Sequence, residues 1–193
     1  MTELTDGGRL LFDGHFLHAA AADTLFEQLL ALVPWRQERG RFGPMPRLTA
    51  WYADGTRSYS YSGVTHIGLD WIPPLTELKM RLEMICITSF NSVLLNRYRD
   101  GQDSMGWHAD NEKELGTNPV IASVSLGATR RFRLKHLQSR ETLDFDLTHG
   151  SLLVMAGTTQ HHWHHAVPKT KLIVGERINA TFRWISHSNE ARP

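Results

Sequence analysis

A short segment in the last third of the chain is rich in imidazoles. The segment TTQHHWHHAVP, residues 158–168, contains four histidines, His161, His162, His164 and His165. Histidine is the commonest protein ligand for transition metals. The segment therefore indicates either a metal ligand or a solvated, nucleic-acid-facing stretch, and its own residues do not decide between them.

A second segment offers further ligands on one face of a strand. In GWHADNE, His108, Asp110 and Glu112 are two residues apart, and alternate residues of a strand share a face. Two histidines and one carboxylate on one side of a metal are typical of non-haem Fe(II) oxygenases. The motif His-x-Asp is short enough to occur by chance. The hypothesis therefore needs a third ligand from the later histidine-rich segment.

The last strand-like segment, RINATFR at residues 177–183, has one apolar and one polar face. Its polar face consists of Arg177, Asn179, Thr181 and Arg183. By itself the alternation predicts a core face and a solvent face. Oxygenases of this class often use 2-oxoglutarate, whose far carboxylate needs a fixed cation, and the bidentate fork of arginine suits that task. The polar face therefore has a second interpretation as the lining of a cavity.

The spacing of apolar residues predicts the elements that hold these side chains. Segments 21–35 and 71–87 have apolar residues at helical spacing, with Pro34 ending the first and Pro73 and Pro74 beginning the second. From residue 90 onward, short strand-like runs, among them HHWHHAV at residues 161–167, alternate with Gly, Pro, Asp and Asn. The pattern predicts an α+β protein with a β core, either a sandwich or a double-sheet jelly roll.

The bulk composition excludes several classes of protein. The chain has 193 residues, 41% of them hydrophobic and 21% charged, which fits one globular domain. A net charge of +1 limits any nucleic-acid surface to a local patch. The single cysteine, Cys86, excludes an internal disulfide and a multi-cysteine zinc site. No signal peptide or run of about 20 apolar residues is present, so we expect an intracellular protein that does not associate with membranes.

Taken in order, the motifs resemble those of the AlkB family of Fe(II)/2-oxoglutarate dioxygenases, especially its nuclear DNA-repair members and their bacterial relatives. The resemblance spans residues 46–185 and depends on Asn96-x-Tyr98, His108-x-Asp110, ASVSLG, HGSLLVM, HHAVP and RINATFR. It implies a double-stranded β-helix (jelly-roll) core with N-terminal helices and a nucleotide-recognition lid. The whole chain, 1–193, is then one domain, with helices and lid over about 1–90 and the catalytic core over about 91–186.

The resemblance also implies roles for individual residues. The Fe(II) ligands and catalytic residues are His108, Asp110 and His165. The residues alone do not separate His165 from His164, and the resemblance favours His165, leaving His161 and His162 as rim residues. Arg177 and Tyr98 are expected to bind the far carboxylate of 2-oxoglutarate. The other residues of this co-substrate site are Asn96, Asn179 and Arg183.

The expected substrate contacts lie mostly before residue 113. Glu112 is in a position that faces the damaged base, where a carboxylate attracts a cationic methylated ring; the alternative is a surface glutamate. Tyr59 and Tyr61 share a face and could stack on a flipped base, or could pack in the core. The phosphate contacts are expected from the cationic loop that contains Arg39, Arg41 and Arg47. A second basic patch is predicted at Arg131, Arg133 and Lys135.

The expected function is oxidative repair of N-alkylated nucleobases, of the 1-methyladenine and 3-methylcytosine type, in single- or double-stranded DNA, with RNA left open. The enzyme would act as a monomer with Fe(II), O2 and 2-oxoglutarate and release succinate, CO2 and formaldehyde. Its location would be cytoplasmic in a bacterium and nuclear in a eukaryote. Two alternatives remain: an oxygenase of this type acting on RNA, protein or lipid, and a non-catalytic metal- or nucleic-acid-binding module.

Overall fold

Two antiparallel β-sheets form the body of the protein. A computed structural model describes residues 1–40, 43–55, 58–61 and 64–186, and of 58–61 and 64–67 only the backbone. The strands are β1 Thr2–Glu3, β2 Gly8–Asp13, β3 Arg39–Gly40, β4 Gly43–Pro44, β5 Leu48–Ala53, β6 Ser58–Tyr61, β7 Val64–Ile67, β8 Ser92–Tyr98, β9 Met105–His108, β10 Ile121–Gly127, β11 Arg130–His136, β12 Thr142–Leu147, β13 Ser151–Gly157, β14 Trp163–Val167 and β15 Arg177–Arg183. The helices are α1 Ala19–Leu32, α2 Pro73–Cys86 and the single turn α3 Thr159–His162, with 3₁₀ turns at Thr5–Gly7 and Lys113–Leu115.

The larger sheet has seven strands in the order β1-β2-β13-β10-β15-β8-β5, and the smaller has four in the order β12-β11-β14-β9. Neighbours within each sheet are antiparallel. Residues of both sheets line one internal cavity, among them Arg177 on β15 and His165 on β14. This arrangement confirms the predicted α+β jelly roll. Two small hairpins, β3–β4 and β6–β7, lie in the segment expected to form the lid, whose role stays a prediction.

Both long helices cover the outer face of the larger sheet. Helix α1 begins after His18, whose Nδ1 accepts from the backbone N–H of Ala21, and ends before Pro34. Helix α2 has Pro73 and Pro74 in its first turn. Backbone N–H groups in a first turn have no acceptor within the helix, so the N–H that proline lacks is not needed there. Their buried faces pack against residues of β8, β10 and β15. No helix in the described part of the chain combines the length and the hydropathy required to cross a bilayer.

Strand β15 separates the outer core from the cavity. Ile178, Ala180 and Phe182 are fully buried in the cluster under the two helices. Burial of large apolar side chains such as Ile178 and Phe182 contributes about 1.5–3 kcal/mol each. The alternate residues lie on the opposite face, line the cavity and are also buried. The polar face of β15 therefore lines a cavity and does not face solvent.

Two expectations about the elements need correction. Strands β2 and β5 lie in the larger sheet, paired with β13 and β8, so the first 90 residues contribute to the core and the sheet has no boundary near residue 90. Strands β2 and β5 enter the sheet by pairing with segments distant in the chain, and the local spacing of residues does not predict such pairing. The expected strand over residues 161–167 begins only at Trp163, because the residues before it form the turn α3.

Candidate metal and co-substrate site

Three potential metal ligands meet where the smaller sheet faces the cavity. The ligand atoms of His108, Asp110 and His165 all lie within 4.8 Å of one another. Nε2 of His108 is 3.9 Å from Oδ1 of Asp110, and the two imidazole centroids are 4.2 Å apart. Asp110 and His165 are buried, and His108 is partly exposed. This donor set can hold one divalent transition metal with open positions for other ligands.

Strand pairing brings these residues together. His165 on β14 is the register partner of His108, the last residue of β9. Asp110 lies two residues further along the chain. Nδ1 of His108 lies 2.9 Å from the carbonyl oxygen of Gly106. Because that oxygen can only accept, Nδ1 carries the proton and Nε2 presents its lone pair towards Asp110. His108 is thus held in the tautomer that a metal ligand requires.

The carboxylate of Asp110 is kept ionised by a neighbouring arginine. Nη2 and Nε of Arg183 donate to Oδ2 of Asp110 at 2.7 and 3.2 Å. Burial alone would raise the pKa of Asp110, but the positive charge of Arg183 and its hydrogen bonds outweigh burial and lower this pKa to about 2. The backbone N–H of Asp110 donates to Oε1 of Gln160 at 2.8 Å. Asp110 therefore keeps one orientation and a full negative charge.

His165 is held as a neutral imidazole. Burial, which disfavours the charged form of the ring, lowers its pKa to about 3. Its ring stacks on Phe132 at a centroid distance of 5.3 Å. His164 is half-buried and does not line the cavity, as expected for the opposite face of β14. The structure therefore brings His165, and not His164, to His108 and Asp110.

The other end of the cavity contains a buried arginine. Arg177 is 1% exposed, and its Nη2 donates to Oγ of Ser125 at 2.9 Å. Its Nε and Nη1 make no hydrogen bond of standard geometry with the described residues. The guanidinium carbon lies 5.0 Å from the ring centroid of Tyr98, its register partner. Burial lowers the pKa of Arg177, but an arginine stays charged at neutral pH.

The chain matches the 2OG-Fe(II) oxygenase superfamily over residues 10–183. It is 42% identical over 184 residues to the mouse alpha-ketoglutarate-dependent dioxygenase alkB homolog 3, covering 88% of this chain and 64% of that protein. It is 39% identical over 181 residues to the bovine DNA oxidative demethylase ALKBH2, covering 86% and 65%. For human ALKBH2 the identity is 38%, covering 86% and 69%. The chain belongs to the AlkB family of 2OG-Fe(II) oxygenases.

Solved structures support the same fold. The structure of OsALKBH1 has a TM-score of 0.63 at 18% identity and covers 94% of this chain and 100% of that one. A prolyl hydroxylase from Trichoplax adhaerens has a TM-score of 0.65 at 12% identity, covering 91% and 83%. At these identities the likeness concerns the fold alone. The chain spans a little under two thirds of the mouse alkB homolog 3 and of bovine ALKBH2.

Membership of the AlkB family implies Fe(II), 2-oxoglutarate and O2, and the cavity fits them. Two imidazoles and one carboxylate are a donor set that suits divalent iron. A buried guanidinium is costly unless an anion binds it, and two nitrogens of Arg177 make no hydrogen bond of standard geometry with the described residues. A dicarboxylate that reaches from the metal ligands to Arg177 would supply that anion. The residues present therefore fit both groups.

The remaining co-substrate candidates are held by neighbouring side chains. Asn179 Nδ2 donates to Oγ of Ser123 at 2.7 Å. Oδ1 of Asn96 accepts from Nε of Arg47 at 2.7 Å. Arg47 was expected to contact phosphate from the surface, but it is only 5% exposed. That expectation needs correction, because the side chain turns inward and orients Asn96.

The other candidate substrate residues lie outside the cavity lining or outside the described residues. Arg39 is exposed on β3, and Arg41 lies beyond the described residues. Tyr59 and Tyr61 lie on β6, where only the backbone is described. Glu112, two residues after Asp110, is half-buried and does not line the cavity. Their roles in AlkB-type substrate binding remain predictions.

The predicted second basic patch is largely neutralised. Arg131 and Arg133, on β11, donate to Asp144 and Asp146 of the paired strand β12. These ion pairs between neighbouring strands leave little free positive charge for phosphate. These ion pairs could have been predicted from the sequence. The acidic segment TLDFDL follows RRFRLKH closely enough for the two strands to form a hairpin.

Sequence reasoning missed several residues that support the site. Gln160 was not singled out, although it accepts the N–H of Asp110. Ser123 and Ser125 alternate in ASVSLG, and this spacing could have placed them beside Asn179 and Arg177. Arg130 had no such signal: it is buried and donates to the carbonyl oxygens of Asp100, Asp103 and Pro168.

Proposed function

We propose that the protein is an Fe(II)- and 2-oxoglutarate-dependent dioxygenase that repairs N-alkylated nucleobases. The substrates would be 1-methyladenine and 3-methylcytosine in DNA, with succinate, CO2 and formaldehyde as products. One observation carries the proposal: the His108, Asp110 and His165 cluster shares a cavity with Arg177, a buried cation whose Nε and Nη1 make no standard hydrogen bond to the described residues. The name DNA oxidative demethylase, carried by relatives at 38–39% identity, supports methylated DNA as the substrate.

In this proposal the protein side chains bind and orient the reacting groups. His108, Asp110 and His165 would hold the iron, which together with O2 and 2-oxoglutarate would supply the oxidising chemistry for hydroxylation of the N-alkyl carbon. The hydroxymethyl group then leaves as formaldehyde, and the base is restored. Arg183 fixes Asp110 and keeps it anionic. Arg177 would bind the far carboxylate of 2-oxoglutarate, and the ring of Tyr98, 5.0 Å from its guanidinium carbon, would lie beside it.

Apolar side chains of both sheets complete the cavity. Phe132, Met155 and Val167 are among the residues that line it. They limit the entry of water, and a drier cavity strengthens the charge interactions of Arg177 and Arg183. Asn96 and Asn179, each held by a hydrogen bond to a neighbour, would help to orient 2-oxoglutarate.

We further propose that the enzyme acts inside the cell as a monomer, in the cytoplasm of a bacterium or the nucleus of a eukaryote. The supporting observation is that relatives carry the name DNA oxidative demethylase. Exposed Arg39, together with Arg41, Tyr59, Tyr61 and Glu112, would contact the alkylated strand. The charge of Glu112 suits the cationic ring of a methylated base.

Formaldehyde release tests the proposed substrate class. The enzyme, with Fe(II), 2-oxoglutarate and O2, is incubated with 1-methyladenine or 3-methylcytosine in single-stranded DNA, duplex DNA and RNA. We expect formaldehyde and succinate in equal amounts from at least one DNA form, and none above background from unmodified DNA or from Asp110→Ala. Turnover of methylated RNA but of neither DNA form would mean that the substrate is RNA and not DNA. No turnover of any oligonucleotide by folded, iron-loaded enzyme would contradict the nucleobase assignment.

A further inference from the structure

A second cluster of potential metal ligands lies away from the cavity. Among the described residues, the ligand atoms of Asp6, His136 and His162 all lie within 4.8 Å of one another. Asp6 is in the 3₁₀ turn at Thr5–Gly7, His136 ends β11 and His162 ends α3. None of the three lines the catalytic cavity. The cluster joins the N-terminal turn, the smaller sheet and α3 at one point.

The three side chains differ in exposure in a way that suits a bound ion. His136 is 1% exposed, and its Nε2 is 2.9 Å from Oδ2 of Asp6, whose side chain is 43% exposed. The ring of His162, which makes no side-chain hydrogen bond to a described residue, lies nearly parallel to that of His136 at a centroid distance of 6.2 Å. A metal here would have three protein ligands and a solvent-facing side for water.

The position of Asp6 is fixed by the segment that also presents His162. Oγ1 of Thr158, the residue before α3, donates to the carbonyl oxygen of Asp6. The backbone N–H of Thr158 donates to the carbonyl oxygen of Gly7. The turn containing Asp6 is therefore tied to α3 whether or not an ion is bound. This pre-organisation lowers the entropy cost of bringing Asp6 and His162 to one ion.

The hydrogen bonds of His136 define what metal binding would change. Nδ1 of His136 accepts from the backbone N–H of Ser139 at 3.0 Å, so Nε2 carries the ring proton and donates to Asp6. A metal on Nε2 would require the ring proton on Nδ1. Oγ of Ser139, 2.9 Å from Nδ1, is placed to accept it. Binding would therefore exchange one tautomer for the other, at the cost of the bond from the Ser139 N–H.

The ligand types indicate which ions fit. Two imidazoles, one carboxylate and water suit Zn²⁺ and neighbouring first-row divalent ions, and do not suit Ca²⁺ or Mg²⁺. Two ligands of a tetrahedral Zn²⁺ with bonds of about 2.0–2.1 Å lie about 3.3 Å apart. The 2.9 Å between His136 and Asp6 would need to open by only a few tenths of an ångström.

We propose that Asp6, His136 and His162 form a second, structural metal site for Zn²⁺ or a similar divalent ion. The ion would cross-link the N-terminal turn, β11 and α3. Because the cluster does not line the catalytic cavity, the proposal does not depend on the proposed function. It can be tested without any substrate.

Zinc binding by a variant that lacks the catalytic ligands tests this proposal. His108→Ala/Asp110→Ala removes the first site, and Zn²⁺ affinity is measured by competition with a chromophoric chelator, with stoichiometry from equilibrium dialysis. We expect two equivalents in the wild-type chain and one in the double variant. Adding His162→Ala or Asp6→Asn should weaken the remaining binding by at least about tenfold. Asp6→Asn keeps an oxygen that can accept from Nε2 of His136, so the metal-free hydrogen bond survives.

His161→Ala in the same double-variant background is the matched control. His161 is adjacent to His162 but contacts Thr117 and Asn118, so Zn²⁺ affinity should not change. Zn²⁺ should also raise the melting temperature of the double variant, and this increase should vanish in the Asp6→Asn triple variant. The proposal is overturned if the double variant binds no Zn²⁺ at micromolar concentration. It is also overturned if His162→Ala and His161→Ala weaken binding equally, or if Asp6→Asn and His162→Ala leave it unchanged.

Discussion

At the scale of single residues, two adjacent histidines of β14 have different environments. His165 is 4% exposed and packs between His108 and Phe132. His164 is half-buried and belongs to the other face of the strand. Alternation along a strand, and not the local count of histidines, decides which ring can reach Asp110.

We predict that His165→Ala loses iron and activity, whereas His164→Ala stays close to wild type. Losing a hydrogen-bond partner of a metal ligand lowers metal affinity or activity roughly 10–100-fold, and losing the ligand itself should lower them more. Bound iron and turnover are measured for both variants after circular dichroism has shown that they fold. A larger loss in His164→Ala than in His165→Ala would mean that the ligand has been assigned to the wrong histidine.

Residue types and spacing predicted much of the site, because alternation is a local property. Asn96 with Tyr98 and Arg177 with Asn179 share faces as the spacing predicts, and all four line the cavity. Arg47 is an exception, because its neighbours in the chain predict an exposed phosphate contact. It lies in a cationic loop yet is buried against Asn96, a residue 49 positions later. No local pattern encodes such a long-range partner.

At the scale of elements, the single turn α3 holds the loop that carries Asp110. Gln160 accepts the backbone N–H of Asp110, and Nε2 of His161 bonds to the carbonyl oxygen of Thr117. The side chain of Gln160 is 2% exposed, so water cannot easily replace that bond. Helix α3 therefore positions a metal ligand without touching the metal.

Replacing Gln160 should weaken metal binding without unfolding the protein. Gln160→Met is similar in size but leaves the N–H of Asp110 without an acceptor, and we expect about a tenfold loss of Mn²⁺ affinity. Gln160→Glu keeps an acceptor oxygen and should lose less. Mn²⁺ titration followed by electron paramagnetic resonance measures both variants. An unchanged affinity in Gln160→Met would show that the hydrogen bond does not position Asp110.

The loop between β8 and β9 is stabilised by a buried carboxylate. Oδ2 of Asp103 accepts from the backbone N–H and Nε of Arg99, and Oδ1 accepts from Nη2. Burial would raise the pKa of Asp103, but the hydrogen bonds from Arg99 outweigh it and lower this pKa below its usual value. A depressed folded-state pKa means that the stabilisation is complete above the unfolded pKa of about 3.9 and is lost as the pH falls through the folded value.

Asp103→Asn should therefore destabilise the protein in a pH-dependent way. We expect a loss of about 1.5–3 kcal/mol in the free energy of unfolding at pH 7, as for other hydrogen bonds to charged groups. The difference from wild type should shrink as the pH falls below about 4, because Asp103 of the unfolded chain then takes up a proton that the folded protein binds only at lower pH. Urea unfolding at pH 7 and pH 3 measures this difference. An equal difference at both pH values would mean that charge does not stabilise the loop.

At the scale of the whole molecule, the larger sheet is assembled from both halves of the chain. Strand β2 pairs with β13 and β5 pairs with β8, while α1 and α2 cover the outer face. The sequence predicted the two helices and most later strands, whose apolar spacing is local. It did not predict that segments 8–13 and 48–53 enter the sheet, because their partners are distant in the chain.

A fragment that starts at residue 91 should therefore fail to fold. It would expose Ile178, Ala180 and Phe182, which the N-terminal helices cover, and would leave β8 and β13 as open edges. Circular dichroism and thermal unfolding compare the fragment 91–186 with the full chain. We expect no cooperative transition in the fragment. A transition like that of the full chain would show that residues 91–186 form an independent core.

The central claim is that one cavity holds iron through His108, Asp110 and His165 and 2-oxoglutarate through Arg177. The visible spectrum under anaerobic conditions tests it most directly, because a weak charge-transfer band requires both groups on the same centre. We predict the band for wild type with Fe(II) and 2-oxoglutarate, its absence in Asp110→Ala, and a much higher 2-oxoglutarate concentration for half-saturation in Arg177→Met. Folded wild-type protein that shows no band, or an Arg177→Met variant that saturates like wild type, would contradict the claim.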